Sequence, residues 1–166
     1  MGFFYNINAV YNLLFKASKI ALTKRIFIKS PIAMNTRDTQ LLSCRPTIPN
    51  ALIKEGMSDQ EHFQNSTLRP IAKLQNDLFV LVFKNYITKH KNVFYNLTIE
   101  NRLLYIDNAV HKNIKFRNAL KGMYIGQFTT EEYLRYTANS SALNKRMMNL
   151  TRERLKNNLM QFEISN

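Results

Sequence analysis

The sequence predicts an all-α protein, a small three- or four-helix bundle, and three observations support this prediction. The chain of 166 residues contains only four Gly and four Pro, so tight hairpins and glycine-rich phosphate loops have few places to form. Apolar residues make up 45% of the chain, which is enough for one modest core. Long stretches after residue 66 repeat their apolar residues at helical spacing. We therefore expect one helical domain, preceded by an irregular arm and an amphipathic N-terminal segment.

The first 34 residues are predicted to form a mitochondrial targeting presequence. They contain five basic residues and no acidic residue, since the first acid of the chain is Asp38. Between Val10 and Thr23, polar residues recur every three or four positions and form one narrow stripe on an otherwise apolar helix. A positively charged amphipathic helix without acids is typical of a mitochondrial import signal. The alternative is a basic helix that stays attached and contacts RNA or a membrane surface.

The segment RIFIKSPIAM, residues 25–34, resembles the two-step cleavage pattern of mitochondrial presequences. In that pattern an Arg is followed two positions later by an apolar residue and three positions further by Ser, Thr or Gly. Arg25, Phe27 and Ser30 fit this motif. The resemblance implies a mature chain that starts near Asn35, with cleavage directly after Phe27 as an alternative. We therefore expect the protein in the mitochondrial matrix.

Residues 35–66 are predicted to be an irregular arm or linker, because they lack a sustained period and contain two of the four Pro. The basic helical domain is expected over residues 67–166. Its first helix should run from about Thr67 to Lys91, capped by Ser66 or Thr67. The segment DLFVLVF would also suit a strand, although its length and flanks favour a helix. The predicted apolar face of this helix is formed by Ile71, Leu74, Leu78, Leu81, Val82 and Tyr86.

A second helix is expected to begin after the capping residue Thr98 and to end before Gly122. Gly122 and Gly126 would then form a turn around the segment MYI. The predicted buried face of the second helix consists of Ile99, Leu103, Ile106, Val110 and Ile114.

The segment TTEE, residues 129–132, matches a capping box and predicts a third helix from Thr130 to about Ala138. A fourth helix would start near the segment NSS, residues 139–141, and continue to about Gln161. Alternatively, the third and fourth helices form one long helix. The predicted buried side of the fourth helix consists of Leu143, Met147, Leu150, Leu155, Leu159 and Phe162.

The sequence contains no recognisable catalytic or metal-binding motif. The three histidines, His62, His90 and His111, lie far apart, and Cys44 is the only cysteine. A zinc site needs ligands at characteristic spacing, and a nucleophile needs a base and an orienting group. Helix capping already explains Glu132. We therefore expect a protein that is not an enzyme, with no metal, cofactor or small-molecule substrate. We also expect no integral membrane span, because no stretch approaches 18 apolar residues.

The basic residues are the most informative feature of the chain. The formal charge is +13, and the part after residue 34 keeps +8, since residues 1–34 hold five of the 24 basic and none of the 11 acidic residues. Such an excess is typical of proteins that bind polyanions, although an ordinary solvated face is the alternative. The predicted nucleic-acid-binding residues are Lys112, Lys115, Arg117 and Lys121 on one side of the second helix, and Lys145, Arg146, Arg152, Arg154 and Lys156 on the last helix.

Aromatic residues lie between these charges and could either stack on unpaired bases or pack in the core. They are Phe94, Tyr95, Phe116, Tyr124, Phe128, Tyr133 and Tyr136. The predicted presequence and the positive charge together predict an RNA- or ribosome-associated protein of the mitochondrial matrix. The most specific form of this prediction is a component or accessory factor of the mitochondrial ribosome. The alternatives are an assembly factor for a respiratory-chain complex, which would hold a protein partner on apolar helix faces, and a mitochondrial DNA maintenance protein.

Overall fold

The computed structural model describes residues 36–49, 51 and 53–162. The predicted presequence and its cleavage motif, Arg25, Phe27 and Ser30, lie outside these residues. Every regular element of the described part is helical, with no strand, which confirms the all-α prediction and excludes a strand at DLFVLVF. The helices are α1 (Thr36–Ser43), α2 (Asp59–Phe63), α3 (Arg69–Leu74), α4 (Asn76–Lys89), α5 (Ile99–Lys112), α6 (Ile114–Ile125), α7 (Thr130–Ala138) and α8 (Ser140–Asn157).

The segment predicted to be an irregular arm is helical at both ends. It contains α1 and α2, and α2 begins with a capping box in which the Glu61 amide donates to Ser58 Oγ and the Ser58 amide donates to the Glu61 carboxylate. A π-helical turn, Gln64–Leu68, joins α2 to α3. Thr67 lies buried inside that turn, so the predicted cap at Ser66 or Thr67 is wrong. Helices of eight and five residues are too short to show a hydrophobic period, which explains the difference.

The predicted first helix is interrupted at Gln75, whose backbone (φ −89°, ψ 5°) separates α3 from α4. Its predicted apolar face is confirmed at Ile71, which is buried, and at Val82 and Tyr86, which pack against the core, but it is wrong for the three leucines. Leu74, Leu78 and Leu81 are 40%, 47% and 61% exposed. The buried residues of α4 are instead Phe79, Val80, Phe83 and Ile87. DLFVLVF is apolar on every side, so spacing alone cannot select the face that packs inward.

The predicted second helix is two helices. Thr98 caps α5 as expected, since its hydroxyl accepts from the Asn101 amide at 3.4 Å. Asn113 (φ −80°, ψ 102°) ends α5 and caps α6, accepting from the Phe116 amide at 3.0 Å. Gly122 lies within α6, so the turn predicted there is wrong, and Gly126 directly follows the helix. Of the predicted face, Ile106 and Val110 are buried, Leu103 is half-buried, and Ile99 and Ile114 are exposed.

The predicted third helix and the start of the fourth are confirmed, whereas the fourth ends at Asn157 and not near Gln161. Thr129 and Glu132 form the capping box, and α7 spans Thr130–Ala138. Asn139 (φ −146°, ψ 42°) separates α7 from α8, so the two are not one helix. Helix α8 ends at Asn157, and a 3-10 turn at Leu159–Phe162 follows it. The predicted inward residues of this segment are buried or packed against the core.

The core is built around α8, which contacts every helix from α3 to α7. An aromatic cluster centred on Phe83 fills one part of it, with ring centroids of its neighbours 5.0–6.3 Å away. Among the aromatics considered for stacking, five are buried: Phe94, Phe116, Tyr124, Phe128 and Tyr136. These five are therefore core residues, whereas Tyr133 is 47% exposed. No helix in the described ranges is long and apolar enough to cross a membrane.

An ion pair between Arg45 and Glu132 joins the segment after α1 to α7. The Arg45 guanidinium donates to both Glu132 carboxylate oxygens at 2.5 and 2.7 Å and to the Gln127 carbonyl at 2.6 Å. Glu132 also accepts from the Thr67 hydroxyl and the Thr129 amide, both at 2.8 Å. Burial alone would raise the pKa of the Glu132 carboxyl, but the hydrogen bonds from Arg45, Thr129 and Thr67 together hold that pKa below its ordinary value. Glu132 therefore caps a helix and also anchors the arm.

Asp38 provides a second attachment at the same place. Its carboxylate accepts from the Thr130 amide at 3.1 Å, within the first turn of α7, where negative charge is favoured. Arg37 donates to the Phe128 carbonyl at 2.9 Å and the Gly126 carbonyl at 3.0 Å. Residues 36–45 are thus held by specific bonds and do not form the free linker that composition suggested.

Candidate nucleic-acid interface

A groove between α6 and α8 brings together residues from both predicted basic clusters. It has a volume of about 310 Å³. Its cations are Arg117 and Lys121 from α6 and Lys145 from α8, and no carboxylate lies among the residues that line it. We call it the basic groove, lined by His111, Arg117, Lys121, Ser141, Asn144, Lys145 and Met148.

The local fold determines where these side chains lie. Arg117 and Lys121 are four residues apart on α6 and therefore lie on the same helix face. Arg117 Nη1 donates to the His111 carbonyl at 3.1 Å, so its guanidinium is held against the last turn of α5. That position is favourable because the C-terminal end of a helix carries partial negative charge. On the other wall, Asn144 Oδ1 accepts from the Tyr136 hydroxyl at 3.0 Å.

Lys145 also lines a neighbouring groove of about 490 Å³ toward α2 and α3. That groove contains Arg69 and Arg146, and Arg146 Nη1 donates to Gln64 Oε1 at 2.5 Å. Glu153 lies in the same groove and offsets part of its charge. Positive charge therefore extends from the basic groove across α8, and it is least compensated in the basic groove itself.

The remaining predicted binding residues do not share this surface. Lys156 Nζ lies 2.8 Å and Arg152 Nε 3.8 Å from the carboxylate of Asp107, so these two cations join α8 to α5. Arg154 is half-buried. Lys112 is exposed at the end of α5. The predicted stripe on a single second helix is therefore wrong, because Asn113 divides that helix.

Lys115 lines a third cavity, which we call the aromatic pocket. It lies between α4 and α6, has a volume of about 390 Å³, and is lined by Val82, Asn85, Tyr86, Lys89, His90, Asn113, Lys115, Phe116 and Ala119. The Tyr86 ring centroid is 4.0 Å from that of His90 and 4.4 Å from that of Phe116. Asn113 Nδ2 donates to the Tyr86 hydroxyl at 3.3 Å. His90, one of the three histidines that lie far apart in the sequence, is thus part of an organised cavity.

The described residues include no group of three or more His, Cys, Asp and Glu side chains that could hold a metal ion. No protein-family model, curated protein or solved structure matches this chain.

Sequence reasoning missed the residues that complete each cavity. His111 reaches the basic groove because the helix breaks sharply at Asn113. Arg69 reaches the neighbouring groove because α3 packs against α8. Neither contact leaves a local sequence signal. A possible signal for the aromatic pocket was the spacing of Tyr86 and His90, four residues apart at the end of α4.

Proposed function

We propose that this protein binds RNA, or an RNA–protein assembly, through the basic groove, and that it acts in the mitochondrial matrix as a component or accessory factor of the mitochondrial ribosome. The observation that carries the proposal is the convergence of Arg117, Lys121 and Lys145 from two helices, without a carboxylate among the lining residues. Side chains of this kind neutralise phosphates and release counterions, which supplies most non-specific affinity for nucleic acid.

The composition of the groove favours backbone contacts over base recognition. Its polar residues, Ser141 and Asn144, can donate hydrogen bonds to phosphate or ribose oxygens. Arg117 is already held by the His111 carbonyl, so little side-chain freedom remains to be lost on binding. We therefore propose affinity for RNA with little sequence preference, which is the mode expected of a protein that contacts a large RNA assembly.

The presequence hypothesis is compatible with the contacts of α1, because these contacts come from residues after the predicted cleavage position. Helix α1 starts at Thr36, and Arg37 and Asp38 already bond to the α6–α7 junction. Cleavage near Asn35 would therefore leave all of these contacts intact. The remaining chain would keep the charge of +8 that the proposal requires.

The experiment that tests this function follows a C-terminally tagged full-length chain through a sucrose gradient of mitochondrial lysate. We expect a tagged product shorter than the full chain, and co-migration with a ribosomal subunit that nuclease or high salt abolishes. A Lys121→Gln/Lys145→Gln variant should shift toward the top of the gradient. Absence from mitochondria, or migration that is unaffected by nuclease and salt, would contradict the proposal.

A second candidate function has its own observation. Leu78 and Leu81, here called the leucine face, lie three residues apart on one side of α4 and are 47% and 61% exposed. We propose as the alternative that this face holds an apolar protein partner, as an assembly factor for a respiratory-chain complex would. Leu78→Gln/Leu81→Gln should then abolish nuclease-resistant co-migration with that complex, and Leu104→Gln, at an exposed leucine of α5, is the matched control.

A further inference from the structure

We propose that the aromatic pocket receives one unpaired base of a bound RNA, while Lys89 and Lys115 hold the phosphates on either side of it. The inference rests on the proposed function and adds a second contact, on a different face of α6 from the basic groove. Of its residues, the charge pattern selects Lys115, whereas the rings and amides of the pocket are brought beside that lysine only by the fold.

The rings of the pocket form a row of tilted pairs, with interplanar angles of 31° and 39°, that ends at the protein surface. Phe116 is 7% exposed and packs on Tyr86, which in turn lies against His90, an exposed residue. His90 Nδ1 lies 2.7 Å from the Tyr86 carbonyl oxygen. Since a carbonyl oxygen only accepts, Nδ1 carries the proton, and this bond fixes the orientation of the imidazole. A ring held in this way can stack on a nucleobase without losing much conformational freedom.

The polar groups of the pocket match the rest of a nucleotide. Asn113 already donates to Tyr86 and accepts from the Phe116 amide, so it serves to build the pocket. Asn85 is exposed beside the rings, and its amide can both donate to and accept from a base edge. Lys89 and Lys115 are exposed, no carboxylate lies among the lining residues, and the first turn of α6 adds its own positive dipole.

The size of the cavity determines which nucleic acid it can take. Its volume of about 390 Å³ lies near the lower end of the range for small-ligand sites, about 300–1,000 Å³. One extruded base fits such a space, whereas the bases of a duplex are already stacked on their neighbours and offer no free face to the rings. The pocket therefore predicts a preference for single-stranded over duplex RNA, which the basic groove alone would not produce.

The test uses the full-length protein and a short single-stranded RNA that carries one 2-aminopurine, whose fluorescence falls when it stacks on an aromatic ring. We expect quenching on binding, and an affinity at least fivefold higher than that for the same strand in duplex form. His90→Ala/Lys115→Gln should weaken single-strand binding by roughly five- to hundredfold, the range of base–aromatic stacking. Tyr133→Ala, at an exposed aromatic of α7 outside the pocket, should change neither quantity.

The outcomes separate this inference from the proposed function. RNA binding without quenching, equal for both RNA forms and unaffected by His90→Ala/Lys115→Gln, would overturn the pocket and leave the basic groove intact. Loss of discrimination in the pocket variant, together with retained duplex binding, supports the pocket. Failure to bind either RNA would refute both proposals.

Discussion

Replacing Arg45 by Met should destabilise the protein strongly at neutral pH, although Arg45 lies in a segment without helix. The side chains of Arg45 and Glu132 are only 7% and 12% exposed, and four hydrogen bonds converge on the Glu132 carboxylate. Arg45→Met keeps the aliphatic stem but leaves this carboxylate without its cation. Removing one partner of a buried pair costs about 3–5 kcal/mol. Because neither group is fully buried, we expect a loss of about 3 kcal/mol.

Urea unfolding followed by circular dichroism at pH 7 measures this loss, with Lys54→Met as the control, since Lys54 is exposed in the same part of the chain. The pKa of Glu132 is lowered in the folded state. The stability that this carboxylate contributes is therefore present above its unfolded pKa and is lost as the pH falls through the folded pKa. The difference between Arg45→Met and wild type should accordingly shrink below about pH 4. A loss under about 1 kcal/mol at pH 7 would show that the pair behaves as an exposed salt bridge, and would refute the docking of this segment.

Two further predictions concern single groups. Thr98→Ala removes the hydroxyl that caps α5 by accepting from the Asn101 amide, and it should lower the free energy of unfolding by about 1 kcal/mol in urea denaturation; an unchanged value would contradict the cap. Burial raises the pKa of the Tyr124 hydroxyl far above its ordinary value, against an opposing effect of its hydrogen bond with Thr151. A tyrosine with a raised folded pKa favours the folded state below its unfolded pKa of about 10, and this contribution is lost as the pH rises. Stability should therefore fall above pH 10 in wild type and less steeply in Tyr124→Phe, and equal slopes would contradict this assignment.

The local signals in the sequence predicted the helices that depend on them. The capping box at Thr129 and Glu132 predicted the start of α7, and Thr98 predicted the start of α5, because both caps are satisfied within three residues. The face of α4 could not be predicted in this way. Which of its apolar sides packs inward is decided by the rings that gather around Phe83, and most of these come from distant parts of the chain.

The candidate site shows the same division between local and distant information. Lys121 and Lys145 were predicted as binding residues from charge alone, but their meeting in one groove depends on the packing of α6 against α8. Arg152 was grouped with them and instead pairs with Asp107, which lies 45 positions earlier in the chain. Charge patterning therefore predicts a basic surface, whereas the position of each carboxylate in the fold decides which cations remain available to bind an anion.

The most direct test of RNA binding through the basic groove is the salt dependence of affinity for single-stranded RNA. Each phosphate contact contributes about 0.7 to the slope of log affinity against log salt. The Lys121→Gln/Lys145→Gln variant should therefore bind more weakly than wild type, with a slope reduced by about 1.4. Lys54→Gln/Lys91→Gln, which removes the same charge from exposed positions outside the groove, should keep the wild-type slope. Equal slopes for the two variants would contradict a specific role for the groove, and a wild-type affinity that does not depend on salt would contradict RNA binding by these cations.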